Sequence, residues 1–311
     1  MIVCVGLNPA LDRRIVLGAL ELGAVNRAIS AEGTPGGKAA NVALAARSLG
    51  ASVHFLGFLG GPTGHAVEQG LREQGIVVDA IATAAPTRIN LELIDDRGVT
   101  EVLEPGSAPS APELAQLLGR CHHLFEACEP DTVVVLSGSL PRGTATMLYA
   151  RLIELTKAHG LRIILDTSGA GLERALSARP DFVKPNRDEA AALLKRPIAD
   201  AQDAKAAAHE LMARGAGSAI VSLGSAGLVS TSEQRAFLVT PPALAARSSV
   251  GCGDATVAGL AIALERRYPA LEQLAFAAAC GAANCLAPSP GRLDPSAVTA
   301  LRGRVQTTWL D

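Results

Sequence analysis

The sequence predicts an α/β fold: a three-layer α/β/α sandwich around a central, mostly parallel sheet, with a small β-sheet lid. Three observations predict it. Short β-rich runs alternate with Ala- and Leu-rich stretches of helical spacing along most of the 311 residues, which is the pattern of a sheet covered on both faces. The runs Val133–Val135 and Ile163–Leu165 are uncharged, as central parallel strands buried on both faces require. Two segments, Asp12–Glu32 and Thr87–Glu104, break the rhythm and lack helical periodicity.

Taken in order, the predicted strands are Ile2–Gly6, Val53–Leu59, Thr132–Leu136, Arg162–Leu165, Phe182–Val183 and Ala219–Ser222. The helices between them are Ala39–Leu49, Thr63–Gln74, Glu113–Ala127, Thr144–His159, Asp188–Leu194 and Ala201–Arg214. The last part of the chain turns helical, with Asp254–Glu265, Leu271–Leu286 and Pro295–Arg302 in succession. In the second irregular segment, Ile89-Asn90-Leu91-Glu92-Leu93 alternates, Asp95-Asp96-Arg97-Gly98 turns, and Thr100-Glu101-Val102-Leu103 returns. That is a hairpin signature. Strands inserted into an α/β chain are expected to form a small sheet over one edge of the main body. The domain expectation is therefore one large α/β domain over 1–311, with lid insertions at approximately 12–34 and 87–105. The outer face of that lid is the expected contact of a homodimer.

Composition removes several function classes. Lys and Arg number 28 against 30 Asp and Glu, a net charge of −2. That balance offers no field for nucleic acid or an anionic membrane. Aromatics are 3%, too few for a base-stacking platform or the girdles of an outer-membrane barrel. The apolar start, Met1–Leu7, lacks a basic flank and is broken by Pro9 and Asp12, so it reads as a strand and not as a signal peptide. Leu274–Ala287 is too short and too rich in Ala and Gly to span a bilayer. Six scattered cysteines without a Cys-x-x-Cys suggest reduced thiols and a cytoplasmic protein.

Common nucleotide and hydrolase signatures are missing. Gly33-Thr34-Pro35-Gly36-Gly37-Lys38 is flanked by Glu32 and Ala39, so it lacks the first Gly and the hydroxyl of a Walker A loop. There is no G-x-G-x-x-G, no G-x-S-x-G and no zinc-type His spacing. Gly251-Cys252-Gly253-Asp254 opens the predicted helix Ala255–Glu265. Its glycines allow close backbone approach, and free N–H groups at a helix start attract an anion. A carboxylate beside such a hole suits a base acting next to a phosphoryl group. The alternative is that Asp254 only caps the helix.

Gly251-Cys252-Gly253-Asp254 resembles the G-x-G-D anion hole of the PfkB/ribokinase family of sugar kinases. Pro35-Gly36-Gly37-Lys38-Ala39-Ala40-Asn41-Val42-Ala43 is similar to that family's N-terminal signature. Asn8-Pro9-Ala10-Leu11-Asp12, Thr87-Arg88-Ile89-Asn90, Ser137-Gly138-Ser139-Leu140-Pro141, Lys184-Pro185-Asn186-x-x-Glu189 and Ser222-Leu223-Gly224-x-x-Gly227 follow in the family's order. The closest likeness is to the phosphosugar branch, which holds 1-phosphofructokinase, tagatose-6-phosphate kinase and the minor 6-phosphofructokinase.

The resemblance implies a ribokinase-like fold and ATP-dependent transfer to a ketohexose phosphate. Fructose 1-phosphate is the first expectation; tagatose 6-phosphate and fructose 6-phosphate stay open, as does a non-catalytic sugar-phosphate sensor. It implies Asp254 as base and Gly251, Cys252 and Gly253 as the anion hole. For the sugar it implies Asp12, Gly36, Gly37, Asn41, Asn90, Ser137 and Ser139, and for the phosphate already on it Lys38, Arg88 and Arg27. Arg88 carries a planar fork suited to phosphate. Lys184, Ser222, Gly224 and Gly227 are implied on the nucleotide side. Asn186 and Glu189 are implied to position Mg²⁺ through water, a role open to hard oxygen donors, and equally read as a capping box. Ser248 and Val250 lie where related kinases offer carbonyls to a monovalent cation such as K⁺.

Three departures stand out. Ala39 and Ala40 replace Gly and a larger aliphatic. Cys252 stands where Ala is usual between the anion-hole glycines. The Asn284–Arg292 stretch matches the family's nucleotide-side loop poorly, which leaves the adenine contacts open.

Overall fold

Strand β1 (Ile2–Gly6) lies near the middle of the main sheet, and the alternation of its side chains explains why. Ile2 and Cys4 enter one hydrophobic cluster while Val3 and Val5 enter another on the opposite face. β8 (Val133–Ser137) divides in the same way, with Val133 and Val135 on one side and Val134 and Leu136 on the other. Such strands have no polar face and hold only a central position. The computed structural model describes residues 1–231, 235–246 and 248–310.

The sheet also contains β4 (Val53–Leu59), β5 (Val77–Ala82), β9 (Arg162–Asp166), β10 (Phe182–Val183), β11 (Ser218–Ser222), β12 (Leu228–Thr231), β13 (Ala236–Thr240) and β14 (Gln306–Leu310). It has 10 strands in the order β14-β13-β12-β11-β10-β9-β8-β1-β4-β5. Neighbours from β5 to β11 are parallel, and β11 to β14 pair antiparallel. Helices α1 (Lys38–Ser48), α2 (Gly61–Glu73), α8 (Cys252–Glu265), α9 (Ala270–Asn284) and α10 (Pro295–Arg302) cover one face. Helices α3 (Ala111–Glu126), α4 (Leu148–Ala158), α5 (Gly169–Ala175), α6 (Arg187–Leu194) and α7 (Ala201–Ala213) cover the other. The predicted three-layer α/β/α sandwich is what the chain adopts.

From β1 the chain progresses through β4 to β5 with helices on one face, and from β8 through β9 and β10 to β11 with helices on the other. The winding reverses between β1 and β8. Open α/β sheets bind ligands outside the carboxyl ends of strands at such a point.

A second sheet of 4 strands stands over this edge, ordered β3-β2-β6-β7. Its members are β2 (Ala10–Val16), β3 (Ser30–Gly36), β6 (Arg88–Asp95) and β7 (Gly98–Leu103). The hairpin read from residues 89–103 is β6 and β7, paired antiparallel with Asp95 opposite Gly98. β2 pairs antiparallel with β3 and parallel with β6. This sheet and its β2–β3 connection expose Leu22, Val25, Ile29, Val102 and Leu103.

Element boundaries shift in two places worth noting. α4 starts at Leu148 and not at Thr144, because residues 144 and 148 first close turns onto Pro141 and Ala145. α8 starts two residues earlier than Asp254, at Cys252, which puts Cys252, Gly253 and Asp254 in its first turn with Gly251 as the N-cap. Ala39 and Ala40 are buried in α1, and the small side chain of Ala39 lies against Gly6 of β1, 3.4 Å from where a Cβ there would stand.

Candidate active site

Gly251 is the N-cap of α8 with φ of +75° and no capping side chain. A Cβ there would stand 2.8 Å from the Cβ of Pro290, so the conformation and the space both demand glycine. The first N–H groups of a helix have no intrahelical acceptor. Those of Gly253 and Asp254 are therefore open to an anion, and the helix dipole reinforces them. Lys184 Nζ lies 3.4 Å from the point a Gly253 Cβ would occupy, which adds a cation to the same corner.

Asp254 is buried, and its Oδ2 accepts a hydrogen bond from Asn41 Nδ2 at 2.9 Å. Burial and the neighbouring Asp166 carboxylate push its pKa up to about 6, against the pull of Lys38, Asn41 and Lys184. A carboxylate held there is mostly ionised at neutral pH yet more basic than an ordinary Asp.

Asp166, at the carboxyl end of β9, was not anticipated from the sequence. It is fully buried and receives Lys184 Nζ at 3.4 Å, Lys38 Nζ at 3.5 Å and Ser137 Oγ at 3.4 Å. Burial alone would raise its pKa, but Lys184 and Lys38 outweigh that and hold it below the usual carboxylate range. The available signal was an acidic residue directly after the uncharged run Ile163–Leu165, where parallel strands present functional groups.

Lys38, expected from the resemblance to meet the phosphate already on the substrate, lines the cleft and is ion-paired to Glu189 at 3.2 Å as well as to Asp166. Burial would lower its pKa, yet Asp166 and Glu189 together raise it, so it remains charged. Ser137 supports Asp166 from behind the cleft. Asn186 and Glu189 form a reciprocal capping box on α6: Glu189 N donates to Asn186 Oδ1 at 2.8 Å, and Asn186 N donates to Glu189 Oε2 at 2.9 Å. Both also line the cleft, next to Lys184, Ser222, Gly224 and Gly227. Gly227 has φ of +100°, and a Cβ there would meet the Val239 carbonyl at 2.1 Å.

The opposite wall comes from the second sheet. Register places Asp12 of β2 beside Asn90 of β6, and Asn90 Nδ2 donates to Asp12 Oδ1 at 2.8 Å. Burial pushes Asp12 up to about 6 despite that hydrogen bond. Asn90 Oδ1 is buried without a protein partner, an acceptor awaiting a donor such as a hydroxyl. Gly36 sits beneath Asp12, since its Cβ would fall 1.9 Å from Asp12 Cγ. Gly37, with φ of +81°, opens α1 as its N-cap. Arg88 is fixed by backbone carbonyls: Nε and Nη2 donate to Asn8 O at 3.3 and 3.1 Å, and Nη1 to Glu104 O at 2.6 Å. Donors remain on both terminal nitrogens. Asn8 Nδ2 in turn donates to Ser139 Oγ at 3.1 Å.

Apart from Asn8, Gly36 and Ser137, which stand behind its surface, these groups line one cleft of about 790 Å³. Leu228, Leu244, Ala278 and Ala282 give the cleft an apolar wall, which motif reading did not identify. Arg27 does not join the cleft of its own chain. It is exposed in the β2–β3 connection, which folds onto itself through the Asn26 amide and Glu21. The expected cation cradle is also altered. Val250 O accepts from Asn284 Nδ2 at 2.8 Å, and Val250 N donates to Ser248 Oγ at 3.1 Å. Asn284 accepts from Gly291 N at 2.9 Å as well, tying the 284–292 loop to the anion-hole turn.

Cys252 Sγ and Cys285 Sγ lie 2.8 Å apart. The close contact of the two thiols raises the pKa of Cys252 and lowers that of Cys285.

The pfkB family carbohydrate kinase profile matches residues 1–297. A 1-phosphofructokinase of Xanthomonas campestris pv. campestris is 40% identical over 279 residues, covering 88% of this chain and 87% of the relative. A tagatose-6-phosphate kinase of Staphylococcus epidermidis is 33% identical over 297 residues, covering 94% of this chain and 95% of the relative. The structure of Escherichia coli phosphofructokinase-2 in complex with potassium superposes with a TM-score of 0.91 at 28% identity, over 97% of this chain and 98% of that one. With the Gly-Cys-Gly-Asp turn, the paired Asp12 and Asn90 and a family match along nearly its whole length, the chain belongs to the pfkB family of carbohydrate kinases.

Proposed function

We propose that this chain transfers the γ-phosphoryl group of ATP to the 6-hydroxyl of fructose 1-phosphate, giving fructose 1,6-bisphosphate. The observation that carries the reading is the placement of a buried, basic Asp254 beside an uncapped helix start, with the Arg88 fork across the same cleft. The likeness to a 1-phosphofructokinase supports the choice of sugar.

In this reading Asp12 and Asn90 bind the sugar hydroxyls, and the unpartnered Asn90 Oδ1 receives one of them. Arg88 takes the phosphate already on the sugar through its remaining N–H donors. Asp254 accepts the proton of the attacking hydroxyl. The N–H groups of Gly253 and Asp254 and the ammonium of Lys184 meet charge that develops on the transferring group. Closure of the second sheet over the sugar excludes water.

Mg²⁺ fits the donor set, because Asn186, Glu189 and Asp166 bring hard oxygens to one side of the cleft. When bound with ATP it supplies neutralisation of phosphate charge. Ser248 and Val250 fit K⁺ less well, since Val250 O is already engaged by Asn284. A homodimer through the second sheet is supported by the exposure of Leu22 at 94%, Val25 at 82% and Ile29 at 73%. Arg27 lies between the last two in sequence, where a partner's cleft could receive it. Sedimentation of the wild type against Leu22→Asp/Val25→Asp tests the dimer. Among the described residues no helix is long and apolar enough to cross a membrane.

The test is ADP release from Mg-ATP with fructose 1-phosphate, fructose 6-phosphate, tagatose 6-phosphate, fructose and ribose. The highest kcat/KM is expected for fructose 1-phosphate. A preference for tagatose 6-phosphate, the substrate in the name of the second relative, would move the assignment within the branch. Equal rates on fructose and its phosphate would overturn the phosphosugar reading, and no ADP release at all would leave a binding protein.

A further inference from the structure

Two of the sequence departures meet in space. Cys252 replaces the small residue usual between the anion-hole glycines, and Cys285 begins the loop that departs from the family's nucleotide side. α8 and α9 form a tight helical hairpin, so the first residue of α8 faces the C-cap of α9. The two sulfurs are 2.8 Å apart although 33 residues separate them. Both thiols are half-buried and line the cleft, whereas Cys4, Cys121 and Cys280 are buried in the core. A small oxidant entering the cleft reaches this pair before those three.

The geometry points to Cys252 and Cys285 as a redox modification site, closed to a disulfide by a peroxide and reopened by a dithiol. The Cys285 thiolate attacks one peroxide oxygen, the O–O bond breaks, and a sulfenic acid forms as hydroxide leaves and is protonated to water. Cys252 then attacks that sulfur. The S–O bond breaks, the S–S bond forms, and a second water departs with the Cys252 proton. Two thiols lose two electrons and two protons, and hydrogen peroxide takes them up to give two waters.

The bond acts on the anion-hole turn. A disulfide needs its sulfurs about 2.05 Å apart, so closing it draws the two residues together. Cys252 lies between Gly251 and Gly253, and its carbonyl is held by Thr256 Oγ1 at 2.8 Å. Asn284, next to Cys285, holds Val250 O. Movement at either cysteine therefore displaces the N–H groups offered to phosphate. This effect on rate rests on the proposed kinase reading; formation of the disulfide does not.

The experiment treats the reduced full chain with hydrogen peroxide, alkylates the remaining thiols, and reads digests by mass spectrometry. The same samples are assayed for ADP release with Mg-ATP and fructose 1-phosphate. A Cys252–Cys285 linked peptide is expected, with a fall in rate of about 10²-fold, the scale set by loss of an oxyanion-type donor, restored by dithiothreitol. Cys285→Ala is expected to keep its own pre-treatment rate after peroxide. Separate alkylation of both cysteines after treatment, or over-oxidation without a linked peptide, would overturn the proposal. Loss of activity in Cys285→Ala equal to that of the wild type would overturn the link to rate. Absence of ADP release before oxidation would fail the kinase reading alone, because the linked peptide is read without it.

Discussion

The side-chain amide of Asn41 donates to Oδ2 of Asp254 at 2.9 Å, joining the first turns of α1 and α8 across 213 residues of sequence. This hydrogen bond favours the ionised carboxylate, while burial and Asp166 oppose it and leave Asp254 near 6. The acid limb of kcat/KM is expected near pH 6, with activity lost as the pH falls through it. Asn41→Leu removes the donor and should move that limb to higher pH. Asp12 also stands near 6 but makes no hydrogen bond with Asn41, so an unmoved limb would assign the titration to Asp12.

Asp254→Asn is expected to lose at least ~10²-fold in kcat, the usual contribution of a general base. The same change should stabilise the fold at neutral pH. A carboxyl at about 6 when folded and at 3.8 when unfolded makes ionisation costly to the native state. That cost is fully present above the folded value and vanishes as the pH falls below the unfolded one. Denaturant melts should show a gain of up to about 3 kcal/mol at pH 8 that shrinks toward pH 4. A variant with near wild-type turnover would remove Asp254 from its role as base.

Asp166 is the negative centre between Lys38 and Lys184. Asp166→Leu leaves the buried Lys184 without its carboxylate, while Lys38 keeps Glu189, and should cost about 3–5 kcal/mol, as breaking a buried pair does. Asp166→Leu combined with Lys184→Met should recover part of that loss in equilibrium unfolding, because one uncompensated charge goes with the other. Because the Asp166 pKa is depressed, its contribution is expected at neutral pH and lost as the pH falls through the folded value.

Gly36→Ala would place a methyl 1.9 Å from Asp12 Cγ. Asp12 must then move. A displacement of that order is expected to cost about 10²-fold in kcat/KM for the sugar, with the KM for ATP little changed. Steady-state kinetics with each substrate varied in turn separates the two.

Arg88→Ala removes the donors proposed to meet the sugar's phosphate. Charge-assisted hydrogen bonds contribute about 1.5–3 kcal/mol, so the KM for fructose 1-phosphate should rise roughly 10- to 100-fold. Turnover of unphosphorylated fructose should be unaffected. A parallel loss on both sugars would make Arg88 a support for the Asn8 and Glu104 backbone instead.

The central strands were legible because their uncharged runs admit only burial, and the β6–β7 hairpin because its turn residues sit between alternating strands. β14 was not. Its residues carry Gln306, Thr307, Thr308 and Trp309 toward solvent, and only pairing with β13 makes it a strand. α5 is short and glycine-rich, with too few turns for a period to show. In the site, glycines at positive φ and charged residues at helix starts announced themselves through spacing. Asp166 and Asn284 did not, because each is a single polar residue whose partners come from distant elements. Lys38 shows the same limit: its charge was visible, but its pairing with Asp166 and Glu189 was not.

β2 and β6 are parallel neighbours, yet Asp12 and Asn90 are separated by 78 residues. Between them the chain must build β4, α2 and β5 against β1. The entropy of closing so long a loop is recovered only after those elements have docked. Pairing of β2 with β6 is therefore expected late in folding, so that the Asp12–Asn90 wall of the cleft is completed after the main sheet offers a scaffold to rest on.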